Sequence, residues 1–328
     1  MRFFFALLGP LFFMMLYFLS HHIELQSGIE HALFFNAIEE RKIICIPNYP
    51  AAFNPSLASQ DNGFLLSFRI NYNLNRLFNL FLKQPTSFVG ILRCDENFQP
   101  QSAPQILPLP GNPQDARLIR YQERLFLFYN DEGRMYLAEL VDIHNHFHIS
   151  SCKPLTYSEA TQQVEKNWSP FVFQDTLYAI YQPSPHTILQ VDVESGLCHC
   201  VSSSDARPLW RFGAMRGGTP ALLLDAEYIT FFHSHVPAKT YWPKKRRIYL
   251  MAAYTFASTP PFQMRKISKL PIAAESDYDA INPKKILFPT GFLIQNKTLY
   301  LSYGLNDNKI CVAKINADTL LDSMETIP

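Results

Sequence analysis

One carboxylate and several cations stand at comparable points of a repeated pattern in this chain. Asp115 opens a short apolar run, and it is the one carboxylate at such a point. The cationic or ionisable side chains at or beside the same points are Arg69, Arg117, Lys166, Arg216 and His233. Hydrolysis of a glycosidic bond normally uses two carboxylates. One acid with several cations instead suits a reaction in which an anion such as phosphate replaces the second carboxylate, or one with a sugar-phosphate donor.

A second carboxylate is available near the third repeat. Glu165 stands four residues before Ser169, so a hydrolase with Glu165 as its base is an alternative. Aspartate at the start of a strand also commonly caps a turn. The chemistry of Asp115 therefore depends on whether the fold brings the cations to it.

The repeated pattern is a β-hairpin, in which two short aromatic and aliphatic runs flank a polar turn. The run Gln114 to Asp131 has Gln122-Glu123 as its turn. Similar hairpins begin at four other positions: Asn54, Ser169, Thr219 and Pro289. The hairpins recur every 50 to 70 residues, and a propeller blade of four strands needs about 40–50 residues. The spacing therefore predicts an all-β, five-bladed β-propeller, with an ordinary β-sandwich as the alternative.

The hairpins also predict where a site lies. In a hairpin, the start of the first strand lies beside the end of the second. The polar residues at these points should therefore form a ring at one end of the propeller, around the mouth of a central funnel. The predicted ring consists of Asn54, Asp115, Ser169, Thr219 and Thr290 with Arg69, Asn130, Gln182, His233 and Gly304.

The composition favours a globular domain without a nucleic-acid partner. The chain has 328 residues, is 48% hydrophobic, and carries 29 Lys and Arg against 28 Asp and Glu, for a net charge of +1. Such a balance does not attract a polyanion to the whole molecule. The local basic run Lys244-Lys245-Arg246-Arg247 is interpreted as a solvated loop in preference to an anion site.

The N-terminus has the composition of a membrane segment. From Phe3 to Ile23 there is no Asp, Glu, Lys or Arg, and Arg2 precedes the run. About 20 apolar residues span a bilayer core, and no small-residue cleavage pattern follows. An uncleaved signal-anchor is therefore favoured over a cleaved signal peptide for 1–23, followed by a stalk over 24–40 and the propeller over 41–328. The propeller is expected to be membrane-anchored on the non-cytoplasmic side, or exported.

The cysteines predict neither a disulfide scaffold nor a metal site. Six are present, and a bridge from Cys152 to Cys198 or Cys200 is plausible if the domain is exported. Cys198-His199-Cys200 has no second ligand pair at zinc-like spacing. No metal or cofactor is expected, apart from inorganic phosphate or a sugar phosphate as co-substrate.

Several stretches resemble a known family. Asp115-Ala116-Arg117 and the run that follows resemble the Glu-Asp-Pro-Arg segment of glycoside hydrolase family 130, the β-mannoside phosphorylases. Three later stretches are similar to that family's later blades, in order: Lys166-Asn167-Trp168, Gly217-Gly218-Thr219-Pro220 with Phe232-His233, and Phe288-Pro289-Thr290-Gly291 with Tyr303-Gly304. The resemblance covers about residues 50 to 320 and implies a five-bladed propeller. Membrane-associated relatives of this fold include β-1,2-mannosyltransferases.

The resemblance also implies roles for residues. Asp115 would be the general acid, acting through a substrate hydroxyl; Arg117 would hold the sugar, and Lys166 and His233 would lie near phosphate. The complete set of expected substrate-binding residues is Asn54, Arg69, Arg117, Lys166, Asn167, Trp168, Arg216, Thr219 and His233. For Trp168, a place in the core and a role as a sugar platform are equally open.

Two residues depart from the family's pattern. Gln114 and Ala116 stand where the family usually has Glu and Pro. The sequence therefore predicts an enzyme that acts on β-mannosides or related glycans by phosphorolysis or glycosyl transfer. The alternative is a glycan-binding propeller without catalytic activity, because the fold alone does not confer activity.

Overall fold

A computed structural model describes residues 13–15, 34–60, 63–72, 86–204, 210–237, 247–274, 277 and 285–328. These residues form mostly β-strands, which hydrogen-bond into four sheets of ten, five, four and four strands. The ten-stranded sheet contains two blades, joined by a short parallel pairing of Ile248 and Tyr249 with Lys285 and Ile286. The chain therefore has five blades, which pack around a common axis. The first strand, β1 (Ile38–Ile44), belongs to the last unit. The fold is therefore a five-bladed β-propeller, as the hairpin spacing predicted, and the β-sandwich alternative is wrong.

The first two blades are built from consecutive strands. Blade one contains β2 (Phe53–Gln60), β3 (Gly63–Tyr72), β4 (Thr86–Cys94) and β5 (Gln105–Ile106). Blade two contains β6 (Gln114–Tyr121), β7 (Arg124–Asp131), β8 (Arg134–Ile143) and β9 (His146–Pro154). In each blade the first strand lies nearest the axis, and each strand pairs antiparallel with the next.

Blades three and four carry extra short strands. Blade three contains β11 (Ser169–Phe173), β12 (Thr176–Pro183), β13 (His186–Val191) and β14 (Leu197–Ser204), with β10 (Thr156–Tyr157) parallel to β14. Blade four contains β15 (Arg216–Gly217) and β16 (Leu222–Leu224), which both pair with β17 (Glu227–Pro237), then β18 (Arg247–Ala257) and β19 (Met264–Ser268).

Blade five closes the ring with strands from both ends of the chain. It contains β20 (Lys285–Gln295), β21 (Thr298–Leu305), β22 (Lys309–Asn316) and, on the outside, β1. A short helix, α1 (Ala317–Asp322), follows, and β23 (Met324–Thr326) then pairs with β19. The strand β1 thus closes the ring, and it begins inside the segment assigned to the stalk.

The core consists of five apolar clusters, one between each pair of neighbouring blades. Inward and outward side chains alternate along each strand, so both faces of a blade pack against its neighbours. Trp168, for which core and sugar platform were both open, is 1% exposed and belongs to one of these clusters, and Tyr129, which is 0% exposed, belongs to another. Both are core residues.

Several sequence predictions concern residues outside the described ranges. The predicted signal-anchor 1–23 is described only at Phe13–Met15, and the stalk only from Phe34 onward. Among the described residues, no helix has both the length and the apolar character needed to cross a membrane. All six cysteines are described and unbridged, so the bridge from Cys152 is not formed. The described residues also contain no group of three or more potential metal ligands.

Candidate active site

A cleft of about 670 Å³ opens at one end of the propeller. It is bounded by strand ends and turns from the blades and by the segment that leads from β10 into β11. The residues that line it are Asn54, Arg69, Asn112, Gln114, Asp115, Asn130, Glu132, Gly133, Val164, Lys166, Asn167, Arg216, His233, His235, Arg247, Tyr249, Ile286, Phe288 and Asp307. The site therefore lies at the end that the hairpin geometry predicted.

Bulges in the innermost strands turn the key side chains into this cleft. The pairing of β2 with β3 and of β6 with β7 shifts register at Phe53/Ser56 and Gln114/Arg117. Within these bulges Asn54 and Asp115 have φ of 49° and 54°, the left-handed region that Asn and Asp tolerate best among non-glycine residues. An extra residue in one strand re-aims the side chains at that point, so both polar groups face the cleft.

Hydroxyl groups of neighbouring blades hold these bulges in place. Ser302 of blade five donates to the carbonyl of Pro55 at 2.8 Å, next to Asn54. Ser67 of blade one donates to the carbonyl of Ala116 at 3.3 Å, next to Asp115. Both serines are fully buried. The positions of Asn54 and Asp115 are thus fixed by contacts between blades as well as by their own strands.

Asp115 lies in the cleft at the junction of blades one and two. The side-chain amide of Asn54 donates to its Oδ1 at 2.7 Å, and Arg69 Nη1 donates to the same oxygen at 3.0 Å. Burial opposes ionisation of Asp115, but the charges of Arg69 and Arg117 and the hydrogen bond from Asn54 outweigh it, so the pKa of Asp115 lies below the ordinary 3.8. In the free protein Asp115 is therefore a carboxylate at neutral pH.

Cations form the wall of the cleft contributed by blades three and four. Lys166 precedes blade three, Arg216 lies on β15, and Arg247 begins β18. Burial lowers the pKa of Lys166, and the charges of Arg216 and Arg247 lower it further, while Asp115 opposes this effect. Because all three side chains are cationic and line the same cleft, each of them would attract a bound anion. We call these three residues the cationic wall.

Two histidines and a tyrosine stand beside the cationic wall. His233 is 2% exposed, and its Nδ1 lies 2.9 Å from the carbonyl of Gly217. Burial and the charges of Arg117 and Arg216 lower the pKa of His233 to about 3. Burial and Arg247 likewise lower the pKa of His235. Both rings are therefore neutral at pH 7 and offer hydrogen bonds without adding charge, and the ring of Tyr249 lies 6.0 and 5.4 Å from them.

Seven of the predicted site residues line the cleft: Asn54, Arg69, Asp115, Lys166, Asn167, Arg216 and His233. Three others do not. Trp168 lies in the core, where its indole N–H donates to Glu165 at 3.1 Å. Thr219 is 0% exposed and lies within blade four. Its hydroxyl lies 3.2 Å from the hydroxyl of Thr230 and accepts a hydrogen bond from the amide of Phe231, so it does not reach the cleft.

Arg117 is the third correction, because it lies beneath the cleft floor and does not contact the open space. Its side chain is 0% exposed. Its guanidinium donates to the carbonyls of Gly218 and of Asp115 and to the side-chain oxygen of Asn167. The expectation that Arg117 holds the sugar directly does not fit this position.

The predicted ring is formed only in part. Asn130 lines the cleft, but Ser169 and Thr290 are 1% and 0% exposed and lie below its floor. Gly304 packs against the Asn54 amide, where a Cβ would overlap Asn54 Oδ1, and Gln182 does not line the cleft. Hairpin geometry predicts the end of each blade at which the cleft lies, but the bulges decide which residue at that end reaches the cleft.

Glu165 does not occupy the position of a catalytic base. Its carboxylate accepts hydrogen bonds from Tyr181 at 2.9 Å and from Trp168 at 3.1 Å, and it is not among the cleft-lining residues. The proposed hydrolase with Glu165 as base is therefore contradicted by the geometry. Two carboxylates that the sequence did not single out, Glu132 and Asp307, line the cleft from turns between strands.

Other cleft residues were also not identified from the sequence. His235 is two residues after His233 on β17, and Tyr249 is its cross-strand partner on β18. Since residues two apart on a strand share a face, the i, i+2 spacing was the signal for His235. Arg247 was assigned to a solvated loop, but it begins β18 and lines the cleft while remaining exposed. The loop interpretation is therefore wrong for Arg247.

Comparison with known proteins gives a partial sequence match. No family model matches the chain. The chain is 28% identical over 187 residues to β-mannosyltransferase 7 of Candida albicans, a match that covers 48% of this chain and 28% of that protein. The chain therefore matches less than a third of the length of this relative.

Solved structures share the fold over nearly the whole chain. β-1,2-Mannobiose phosphorylase from Listeria innocua, in complex with β-1,2-mannobiose, has a TM-score of 0.60 at 16% identity and covers 87% of this chain and 93% of its own. MPT-4, a mannose phosphorylase from Leishmania mexicana in complex with phosphate, has a TM-score of 0.62 at 12% identity, with 94% and 97% covered. A third structure belongs to the GH130 family of mannoside phosphorylases, which contains glycoside hydrolases that target β-1,2-mannosidic linkages in Candida mannan. It has a TM-score of 0.61 at 14% identity, with 82% of this chain and 85% of its own covered. The chain has the propeller fold of these mannoside-active proteins, and the resemblance drawn from its sequence is confirmed at this level.

Proposed function

We propose that this protein is a carbohydrate-active enzyme that forms or cleaves β-mannosidic bonds with phosphate or a sugar phosphate as co-substrate, and that Asp115 is its acid–base residue. One observation carries the proposal. The Asp115 carboxylate and the cationic wall (Lys166, Arg216 and Arg247) line the same cleft. The similar proteins support the substrate class, since they include a β-mannosyltransferase and a β-1,2-mannobiose phosphorylase.

The two halves of the cleft suit the two halves of such a reaction. On the side of blades one and two, Asn54, Asn130 and Asp115 offer the neutral and acidic groups that recognise sugar hydroxyls. On the other side, the cationic wall offers charge-assisted hydrogen bonds to a phosphoryl group. The mannosyl unit would lie between them, with its anomeric carbon facing the cations.

The same groups can serve glycosyl transfer and its reverse, phosphorolysis. In transfer, an acceptor hydroxyl attacks the anomeric carbon of mannose 1-phosphate and phosphate leaves toward the cationic wall. The proton of the acceptor passes through a hydroxyl of the sugar to Asp115, which then releases it to solvent. In phosphorolysis, Asp115 first takes up a proton from solvent, phosphate attacks the same carbon, and Asp115 gives the proton through the sugar hydroxyl to the departing glycosidic oxygen. Because Asp115 is ionised in the free protein, the transfer direction begins from its resting state.

The test uses the full-length protein purified in detergent. It would be incubated with β-mannosides, with and without inorganic phosphate, and separately with mannose 1-phosphate and oligomannoside acceptors. Phosphate-dependent release of mannose 1-phosphate, or release of phosphate with growth of the acceptor, supports the proposal. Reducing sugar released without phosphate would identify a hydrolase instead. Glycan binding by calorimetry without turnover under any condition would leave the alternative, a non-catalytic glycan-binding propeller.

We also propose that residues 1–23 anchor the protein in a membrane, with the propeller on the non-cytoplasmic side. The support is the absence of Asp, Glu, Lys and Arg from Phe3 to Ile23. The test is carbonate extraction of membranes from expressing cells, followed by protease treatment of sealed vesicles. Release by carbonate, or cleavage of the propeller from the cytoplasmic side, would contradict the proposal.

A further inference from the structure

The guanidinium of Arg117 joins three blades under the floor of the cleft. Arg117 lies on β6 of blade two, and its Nη1 donates to the carbonyl of Asp115 at 3.0 Å. Its Nε donates to the carbonyl of Gly218, beside β15 of blade four. Its Nη2 donates to the side chain of Asn167, at the entrance to blade three, at 3.3 Å. One planar group therefore fixes the relative positions of residues from three separate blades.

The surrounding backbone is packed so that these contacts can form. A Cβ at Gly217 would overlap the carbonyl of Asn167, and a Cβ at Gly218 would overlap the carbonyl of Phe231. Glycine at 217 lets blade four approach the Asn167 backbone closely, and glycine at 218 lets the segment lie against Phe231 of its own blade. Asn167 itself has φ of 63°, so its conformation is held by its surroundings. These close contacts leave little freedom of movement to the groups that bond the Arg117 guanidinium.

The same guanidinium places a positive charge close to the reacting groups. Burial lowers the pKa of Arg117 to about 10, so it remains cationic at neutral pH. The charged and titratable groups that act on Asp115 or are acted on by it are Arg69 on β3, Arg117, Lys166 before β11 and His233 on β17. Of these, Arg117 is 0% exposed, and the three hydrogen bonds described above are all to groups of the protein.

We propose that Arg117 is a positioning residue, which fixes Asp115, Asn167 and Gly218 relative to one another from beneath the cleft and supplies a permanent positive charge under the Asp115 carboxylate. It does this without contacting the sugar. The kinetic part of this proposal rests on the proposed function. Its electrostatic part does not, because the ionisation of Asp115 can be measured without turnover.

The experiment compares Arg117→Met, Arg117→Lys and the control Arg120→Met in the full-length protein. Arg120 is exposed on the same strand, and its guanidinium bonds the carbonyl of Ser59 at 3.1 Å, away from the cleft. The titration of Asp115 is followed by NMR of protein labelled with carbon-13 in the aspartate carboxyl group, with Asp115→Asn used for assignment. Turnover is resolved into kcat and the KM for the glycan.

For Arg117→Met we expect the Asp115 titration to move to higher pH, because a positive charge is lost, and kcat to fall by about 10²-fold through misplacement of reacting groups. Arg117→Lys should keep the Asp115 titration near that of the wild type but still lose kcat, since an ammonium cannot make the forked contacts. In both, KM for the glycan should change by less than about threefold, a shift worth under 1 kcal/mol. Arg120→Met should match the wild type.

An unchanged Asp115 titration in Arg117→Met would overturn the electrostatic part. A raised KM with unchanged kcat would overturn the positioning role and restore a direct contact with the sugar. If Arg117→Met does not fold, Arg117→Lys decides through its kcat and KM. If the wild type has no turnover, the proposed function fails by itself, and the titration still tests the charge beneath Asp115.

Discussion

Arg69 of blade one and Asp115 of blade two form an ion pair of 3.0 Å at the junction of their blades. The same carboxylate oxygen accepts a hydrogen bond from Asn54 at 2.7 Å. The side chains are 13% and 19% exposed, so the pair is partly shielded from water but open to the cleft. This relationship holds the proposed acid–base residue in its ionised form and in a single orientation.

Replacement of Asp115 by Asn should abolish turnover and leave glycan binding. The amide keeps the volume and can still meet Arg69 and Asn54, but it cannot exchange a proton at neutral pH. We expect kcat to fall by about 10²- to 10⁴-fold and the Kd for the glycan, measured by calorimetry, to change little. Asp175→Asn is the matched control, since Asp175 lies in an exposed turn at the other end of blade three. Retained turnover in Asp115→Asn would exclude an acid–base role.

Arg247→Met should weaken binding of the anionic co-substrate selectively. The charge-assisted hydrogen bond that Arg247 would make is lost, and because Arg247 is exposed we expect at most about a tenfold rise in KM for phosphate or mannose 1-phosphate. The KM for an uncharged mannoside should not change. Lys297→Met removes an exposed cation at the opposite end of blade five and is the control. An equal rise in both KM values would place Arg247 outside the anion site.

Stability should decrease as the pH falls below about 6.5. Burial lowers the pKa of His186 to about 4 and of His233 to about 3, whereas both would titrate near 6.5 in the unfolded chain. Between these values the unfolded chain binds more protons, so it is favoured progressively as the pH falls from 6.5 to 4. Each histidine contributes at most about 1.4 kcal/mol per pH unit in this window.

The pH dependence can be measured by urea unfolding at intervals between pH 7 and 4. His186 packs against the rings of Tyr254 and Phe256, so His186→Phe keeps an aromatic ring in these contacts and removes one titrating group. The slope should become shallower in this variant. His148→Gln, a substitution at an exposed position, is the matched control. A His186→Phe slope equal to that of the wild type would contradict the assignment.

Asp277→Asn should weaken closure of the ring. Asp277 is 2% exposed, bonds Arg41 on β1, and accepts hydrogen bonds from Tyr303 on β21 at 2.9 and 3.1 Å. Removal of one partner of a buried ion pair typically costs about 3 kcal/mol, because the other charge is left uncompensated. Urea unfolding measures this loss, and Lys297→Gln, which breaks an exposed pair, should cause no comparable change. A wild-type midpoint in Asp277→Asn would show that the pair does not secure β1.

The sequence alone determined the fold and the end of the molecule where the site lies. Hairpins with period-two alternation and polar turns recur often enough to indicate blades, and hairpin geometry places strand starts and ends together. From these rules Asn54, Arg69, Asp115, Asn130 and His233 were correctly expected at one end. The argument is local, because each hairpin contains both of the residues that it brings together.

The tertiary structure decided which of the residues at that end reach the cleft. Arg117 stands two residues after Asp115, and Thr219 belongs to the same blade as His233, yet neither Arg117 nor Thr219 lines the cleft. Two features that no single strand encodes make this difference: the bulges that turn Asn54 and Asp115 into the cleft, and the backbone carbonyl of Gly218 that blade four offers to Arg117. Glu165 likewise bonds core groups because Trp168 and Tyr181 lie beside it only after blade three has formed.

The cationic wall also forms only when the blades assemble into a ring. Lys166, Arg216 and Arg247 stand far apart in the chain, and a basic side chain beside a strand is most often solvated. They share a cleft because the blades close into a ring around one axis, which brings successive strand ends to a common centre. Alternation along a strand predicts the face of a side chain, but the groups opposite that face are fixed by the packing of blade against blade.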